Sequence, residues 1–178
     1  VSVVDDKAHY YPGAGSFIVK MVADKTSRKF LGIQVLGPGA VDKMVDIGVT
    51  ALTLGASIDD LENMDLAYAP PFSTAIHPFV HTVNILVNKM SGAFETMTPE
   101  EFAAGGAEGY QIVDAAIQPS LKNAPYMDLT KIQGPVDGFD RDAKLLLVCT
   151  KGRRAYLLHN RLSYLGYDNT KVLEGGTF

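Results

Sequence analysis

The sequence lacks tryptophan, has a single cysteine, Cys149, and contains no uninterrupted apolar run long enough to cross a membrane. One cysteine cannot close an internal disulfide, so a reducing, cytoplasmic location is expected. Acidic residues (20) only slightly outnumber basic residues (16), and no long block of one charge occurs. Basic residues do not alternate with aromatic ones, which argues against a nucleic-acid surface. We therefore expect neither a nucleic-acid partner nor a membrane.

The sequence also lacks the short motifs that mark common cofactor and metal sites. No GxGxxG, CxxC or HExxH occurs, so this chain alone is expected to bind no cofactor. His77 and His81 are four residues apart, but no third ligand lies nearby, and no metal site is predicted. The chain begins with Val1 rather than methionine, which suggests a fragment of a longer protein or the removal of a tag.

The hydrophobic pattern of residues 1–92 predicts an α+β domain. Segments 16–24 and 29–37 are strand-like and flank a polar turn, which predicts a hairpin. Apolar residues then recur at helical spacing over 41–57. Ser57 is a predicted N-cap for a short helix. Prolines forbid regular structure between 66 and 79, and a last helix is predicted over 77–92.

Residues 93–178 have the pattern of a small parallel α/β domain. Thr98, Pro99 and Glu101 form a predicted capping box at a helix start. Segments 110–115, 144–149 and 170–176 are predicted strands, the last two joined by a helix that ends at Gly166. Residues 116–143 are predicted to be irregular. Strands that alternate with helices indicate a parallel sheet.

The single cysteine lies in residues 149–154, CTKGRR, between an apolar strand and a predicted helix start. Backbone amides at such a helix start converge on one point, where the helix dipole also favours a thiolate or an anion. Gly152 permits a tight turn. Arg153 and Arg154 add positive charge, and one of them can reach back across the mouth of the loop. A buried core cysteine is the alternative interpretation. The further residues predicted to line the loop are Thr150, Lys151, Gly152 and Arg153.

The stretch 145–178 resembles the end of a rhodanese domain. It carries the family's C-x-x-G-x-R loop at Cys149–Arg154 and its final Leu-x-Gly-Gly followed by an aromatic residue, at 173–178. The resemblance implies that Cys149 accepts a sulfane sulfur as a persulfide and that Arg154 and the loop amides hold the anion. Asp114 matches the family's Asp-Val-Arg, but Ala115 and Ala116 replace the valine and arginine, which leaves the choice of sulfur donor open.

Residues 1–92 resemble the dimerisation domain of pyridine nucleotide-disulfide oxidoreductases, above all coenzyme A-disulfide reductases. The matching segments are HYYPGAG (9–15), 37–52 and YAPPFS (68–73), whereas Ile76-His77-Pro78 replaces the family's Lys-Asp-Pro. The resemblance implies a homodimer in which Tyr10, with Tyr11 as the alternative, and Tyr68 face the partner's flavin site. A tyrosine hydroxyl there can act as a proton donor to a departing thiolate. Further residues expected at the flavin side or the interface are Pro70, Pro71, Phe72 and Ser73.

Together the two resemblances are typical of the C-terminal part of a coenzyme A-disulfide reductase–rhodanese fusion. The implied parent uses FAD, NAD(P)H and coenzyme A to reduce a disulfide, persulfide or polysulfide. Its FAD and NAD(P)H domains would precede residue 1, and sulfur-containing small molecules would be its substrates. The alternative is a non-catalytic module, in which residues 1–92 only dimerise and a degenerate rhodanese half only binds or regulates.

Overall fold

The computed structural model describes residues 1–178 and divides the chain into two compact units, Val1–Met90 and Ser91–Phe178. The first unit mixes helices with an antiparallel sheet, and the second is built on a parallel sheet. This arrangement confirms the α/β fold class predicted from the sequence. None of the helices is both long and apolar enough to cross a membrane.

The sheet of the first unit has three antiparallel strands in the order β1-β2-β3. Strand β1 spans Ser2–Asp5, β2 spans Ser16–Ala23 and β3 spans Phe30–Leu36. The predicted hairpin of β2 and β3 is confirmed. The sequence prediction missed β1, because a four-residue strand without a flanking hairpin turn gives too short a pattern to recognise.

Three helices complete the first unit: α1 at Val41–Thr53, α2 at Ile58–Glu62 and α3 at Pro78–Met90. Ser57 is the N-cap of α2, as predicted, and the Asp60 side chain completes a capping box by accepting from the Ser57 amide. The core residues Phe30, Met44 and Phe79 come from the sheet, α1 and α3, so these elements share one apolar centre. Residues 66–77 form no helix or strand, as the prolines predict.

The second unit has a four-stranded parallel sheet in the order β4-β7-β6-β5. Its strands are β4 at Thr96–Met97, β5 at Gln111–Asp114, β6 at Leu145–Val148 and β7 at Thr170–Leu173. Strand β6 lies inside the sheet and is buried throughout, as expected for a continuous apolar run in a parallel sheet. The sequence prediction missed β4, which is only two residues long.

Helix α4 spans Pro99–Ala103 and begins at the predicted capping box of Thr98 and Glu101. Helix α5 spans Arg153–Tyr164 and follows β6 directly. Between β5 and β6 the chain is irregular except for one 3-10 turn at Leu129–Lys131. All four strands are parallel, so the segments after β5, β6 and β7 leave the sheet at its carboxyl edge, where sites form in α/β folds.

Candidate functional site

Cys149 lies directly after β6, at the carboxyl edge of the parallel sheet and at the start of α5. The residue is 4% exposed, and its Sγ accepts a hydrogen bond from the backbone N–H of Ala155 at 3.4 Å. The thiol therefore points to the N-terminus of α5, where unpaired amides and the helix dipole favour negative charge. The burial fits a core cysteine, whereas the amide contact fits a nucleophile.

The turn from Cys149 into α5 depends on Gly152, which precedes the helix with φ +80°. No side chain caps the helix, so its first amides remain directed at the loop. Lys151 is half-buried, and its Nζ lies 5.7 Å from the centre of the Phe178 ring. Thr150 and Arg153 are exposed. The four predicted loop residues thus lie around the first turn of α5, whose backbone amides have no side-chain cap.

Gly175 and Gly176, which follow β7, form the neighbouring wall of the Cys149 loop. The N–H of Thr177 donates to the carbonyl of Cys149 at 3.1 Å. Gly176 has φ +66°, and a Cβ there would lie 1.9 Å from the Cys149 carbonyl oxygen. Only glycine allows this close approach. The two glycines therefore support the backbone of the cysteine loop, a role that the sequence motif alone did not reveal.

Arg154 reaches from α5 to the segment that follows β5. Its Nε donates to the carbonyl of Ala115 at 3.2 Å, and one Nη donates to Oδ1 of Asp128 at 3.3 Å. Asp128 also accepts from the N–H and hydroxyl of Thr130, and the Thr130 amide is the main reason why its pKa is lowered. Sequence reasoning missed Asp128, although it lies in the Ala-x-x-x-Asp-Leu pattern of residues 124–129.

Asp114, at the end of β5, organises the loop beside the cysteine. The carboxylate is buried and accepts hydrogen bonds from the amides of Ala116, Ser120 and Leu121. Burial opposes its ionisation, but these amide donors outweigh burial and lower the pKa of Asp114 below its usual value. The carboxylate therefore folds residues 114–121 into a turn at the sheet edge.

The substitution Asp114→Asn is expected to destabilise the protein by about 1.5–3 kcal/mol at neutral pH, because it weakens charge-assisted hydrogen bonds. The folded-state pKa lies below the unfolded value, so the stabilisation is present above about pH 4 and disappears as the pH falls through the folded pKa. Urea unfolding at neutral pH and at about pH 3 measures the free energy of unfolding of both proteins. The difference in this free energy between wild type and variant should be smaller at the lower pH. Asp140→Asn, at an exposed residue of the same unit, is the control. A difference that stays constant with pH would contradict the prediction.

In the first unit, two loops present the predicted tyrosines to solvent. Tyr10 is 66% exposed and Tyr68 is 51% exposed, whereas Tyr11 is half-buried and contacts the Tyr10 ring with centroids 5.3 Å apart. The N–H of Ala8 donates to the carbonyl of Pro70 at 3.3 Å, which connects the two loops. Both tyrosine rings are therefore available to another protein surface.

Asp6, which sequence reasoning missed, closes the loop that carries Tyr10. Its backbone N–H donates to the carbonyl of Gly15, and its Oδ1 accepts from the Gly15 amide at 2.7 Å. The other carboxylate oxygen of Asp6 has no hydrogen-bond partner and lies 3.7 Å from the Lys7 Nζ. No distinctive motif surrounds Asp6 in the sequence, so only the folded loop reveals its role.

The other predicted interface residues of the YAPPFS loop differ in exposure. Phe72 is 75% exposed, and Pro70 and Pro71 are half-buried. Ser73 is fully buried, and its hydroxyl donates to the carbonyl of Thr74. An internal turn uses the Ser73 hydroxyl, so Ser73 presents no exposed surface in this chain, and its place at the flavin side or the interface stays a prediction.

His77 occupies the position where the resemblance expects aspartate, and it caps helix α3. The side chain is buried, and its Nδ1 accepts from the N–H of Phe79 at 3.2 Å. Desolvation, with a smaller contribution from Lys43, lowers the pKa of His77 to about 4. A neutral imidazole thus supplies the acceptor that a carboxylate would supply at this helix start.

Folding stability is expected to fall as the pH drops from about 6.5 towards 4, because the unfolded chain protonates His77 in this window and the folded chain does not. The loss is on the order of 2–3 kcal/mol. His77→Asn keeps an acceptor for the Phe79 amide but does not titrate, so its stability should depend less on pH. Urea unfolding at several pH values compares it with His9→Asn, at an exposed histidine. Equal pH dependence in both variants would refute this assignment.

No group of three or more His, Cys, Asp or Glu side chains is arranged to hold a metal ion.

Comparison with known proteins identifies a matching family model and curated relatives. Residues 3–79 match the family model of the pyridine nucleotide-disulphide oxidoreductase dimerisation domain. Coenzyme A disulfide reductase from Staphylococcus epidermidis is 37% identical over 71 residues, which are 40% of this chain and 16% of that protein. The chain thus spans about a sixth of this curated relative.

Two solved structures match both units together. A NAD-dependent persulfide reductase from A. fulgidus is 32% identical with a TM-score of 0.87, over 98% of this chain and 32% of that one. The reduced CoADR-RHD of Bacillus anthracis is 27% identical, with the same TM-score and coverage. These findings confirm the resemblance to coenzyme A-disulfide reductase–rhodanese fusions that the sequence predicts.

Proposed function

We propose that this chain is the dimerising and sulfur-carrying portion of a flavin-dependent reductase. The premise is that its first unit is a pyridine nucleotide-disulphide oxidoreductase dimerisation domain. The reductase acts on coenzyme A disulfide, persulfide or polysulfide with NAD(P)H as the electron donor. The second unit is a rhodanese-like domain in which Cys149 carries sulfur. Reductases of coenzyme A disulfide and of persulfide among the similar proteins support this assignment.

The observation that carries the proposal is the contact between Cys149 Sγ and the Ala155 amide at the open N-terminus of α5. Backbone amides and the helix dipole stabilise a thiolate before the reaction and a persulfide anion after it. The Cys149 thiolate attacks the outer sulfur of a donor R–S–SH, the S–S bond of the donor breaks, and R–S⁻ leaves. Cys149 then holds the sulfur as Cys–S–SH.

The first unit contributes the subunit interface and two tyrosines. The exposed rings of Tyr10 and Tyr68 would face the partner subunit's active site, where either hydroxyl can donate a proton to a departing thiolate. FAD, bound by domains outside this chain, would supply electron transfer from NAD(P)H to the S–S bond. Pro70, Pro71 and Phe72 would lie at the same interface, and a reducing, cytoplasmic compartment would keep Cys149 available as a thiol.

The two units would act in sequence. Cys149 accepts or presents the sulfane sulfur, with Arg154 close to the loop. The coenzyme A thiolate would then attack the outer sulfur of Cys–S–SH, the Cys149 thiolate would leave, and coenzyme A persulfide would carry the sulfur to the reductive site. The flavin half of the parent enzyme would supply the electrons from NAD(P)H that reduce the persulfide bond. In this order the rhodanese-like unit supplies the substrate of the reductase, which explains why one chain holds both.

Sulfur transfer to cyanide tests the proposal directly. Thiosulfate and cysteine persulfide serve as separate donors, and thiocyanate is the measured product. Catalytic turnover by the wild-type chain with either donor is the expected result. A folded protein without turnover with both donors would instead support a module that only dimerises and binds.

A further inference from the structure

The segment that follows β5 lacks the arginine that the resemblance expects beside the cysteine loop. Ala115 and Ala116 are both buried, at 0% and 5% exposure, where the resemblance expects valine and arginine. The N–H of Ala115 donates to the carbonyl of Val148, the residue before Cys149, so this segment lies beside the thiol. This segment therefore supplies no guanidinium of its own at that position, and the Arg154 guanidinium contacts its backbone instead.

The remaining loop arginine, Arg154, is held by the protein itself. Its Nε donates to the Ala115 carbonyl, and an Nη pairs with the Asp128 carboxylate at 3.3 Å. Both side chains of this ion pair are about three-quarters shielded from solvent, with 25% and 21% exposure. Asp128 thus fixes the Arg154 guanidinium beside the Cys149 loop and places one negative charge next to this guanidinium.

Asp128 is itself firmly positioned. Its Oδ1 accepts from the Thr130 amide at 3.0 Å and from the Thr130 hydroxyl at 2.9 Å, as the cap of the 3-10 turn. The carboxylate therefore cannot swing away from Arg154 without losing this cap. The charge of Arg154 is therefore paired with that of Asp128, and the net positive charge of the loop is smaller than its two arginines suggest.

We propose that Asp128 is a positioning residue that selects the sulfur donor: by holding Arg154 against the Ala115 carbonyl, it disfavours dianionic thiosulfate and favours organic persulfides. This inference rests on the proposed sulfur transfer to Cys149. Thiosulfate gives its outer sulfur to the Cys149 thiolate and releases sulfite, so a doubly charged anion must approach, and another must leave, the loop beside the Asp128–Arg154 pair. A persulfide R–S–SH releases only the thiolate R–S⁻.

Asp128→Asn tests this, because asparagine still accepts from the Thr130 amide but removes the charge. The ratio of kcat/KM for thiosulfate to kcat/KM for cysteine persulfide is expected to rise about tenfold, from the loss of one nearby negative charge. Asp128→Ser, another good cap, should behave alike. Asp137→Asn removes an exposed carboxylate elsewhere in the unit and should leave the ratio unchanged.

A second readout does not need turnover. Alkylation of Cys149 by anionic iodoacetate and by neutral iodoacetamide compares the approach of charged and uncharged reagents to the same sulfur. The rate ratio of iodoacetate to iodoacetamide is expected to rise several-fold in Asp128→Asn and not in Asp137→Asn. A structural defect would change both rates together and leave this ratio unaltered.

The possible outcomes distinguish failure of the proposed sulfur transfer to Cys149 from failure of the proposed role of Asp128. If neither donor is turned over but the alkylation ratio rises, the proposed sulfur transfer is wrong and the role of Asp128 in guarding Cys149 holds. If both donors slow equally in Asp128→Asn and the alkylation ratio is unchanged, Asp128 is only a helix cap and the inference is overturned. Failure of both reagents to alkylate Cys149 also overturns it, because no donor could then reach the thiol.

Discussion

Replacing Cys149 with serine is expected to lower sulfur transfer by about 10³-fold or more, because it removes the only thiol that can accept the sulfur. Serine is nearly isosteric and can accept the Ala155 amide that now contacts Sγ. The variant should therefore fold normally. Thiocyanate formation from cysteine persulfide measures the loss, after subtraction of the uncatalysed reaction.

The matched control is Ser163→Ala, which removes a hydroxyl from the exposed end of α5 far along the helix from the loop. It should retain wild-type turnover. Residual transfer in Cys149→Ser above one-tenth of the wild-type rate would mean that the cysteine does not carry the sulfur. The loop would then be a binding surface, and the chain would act through its first unit alone.

The substitution Gly176→Ala is expected to damage stability and sulfur transfer together. The new Cβ would lie 1.9 Å from the Cys149 carbonyl oxygen, at a residue whose φ is +66°. Backbone strain and overpacking together should cost about 2–5 kcal/mol. Thermal unfolding of the full chain should show a transition lowered by roughly 10 °C or more, because a unit of this size is sensitive to such losses.

Gly138→Ala provides the control for backbone strain. Gly138 has φ +82°, but no atom lies within 4 Å of its Cβ position. The Gly138→Ala substitution should therefore lower the free energy of unfolding by only about 1–2 kcal/mol, and sulfur transfer by the folded protein should persist. If both alanine variants behave alike, the close approach of the glycine pair to the cysteine loop does not shape the site.

The parts of the fold that sequence reasoning predicted are those with strong local signals. The hairpin, α1, the N-cap at Ser57, the capping box at Thr98 and the buried strand β6 all follow from patterns within one segment. Strands β1 and β4 were missed because they are short, and the pairing partner of β4, strand β7, is distant in sequence. Tertiary pairing, rather than local preference, determines such strands.

In the candidate site, too, residues close in sequence could be predicted together, whereas residues that only folding brings together could not. The CTKGRR loop is continuous in sequence, so its cysteine, glycine and arginine could be identified together. Asp128 could not, since its role depends on a contact with Arg154 across 26 residues, from a segment with no regular structure. Asp6 and Gly176 likewise act through close approach of distant backbone. The burial of Ser73 could not be predicted either, because the sequence does not show which side of a proline loop faces inward.

The most direct test of sulfur carriage is the mass of the chain after brief treatment with cysteine persulfide and removal of excess donor. The account predicts a gain equal to one sulfur atom, located on the peptide that contains Cys149 and removed by cyanide with release of thiocyanate. Unchanged mass in the folded wild-type chain, or added sulfur that cyanide does not remove, would contradict it.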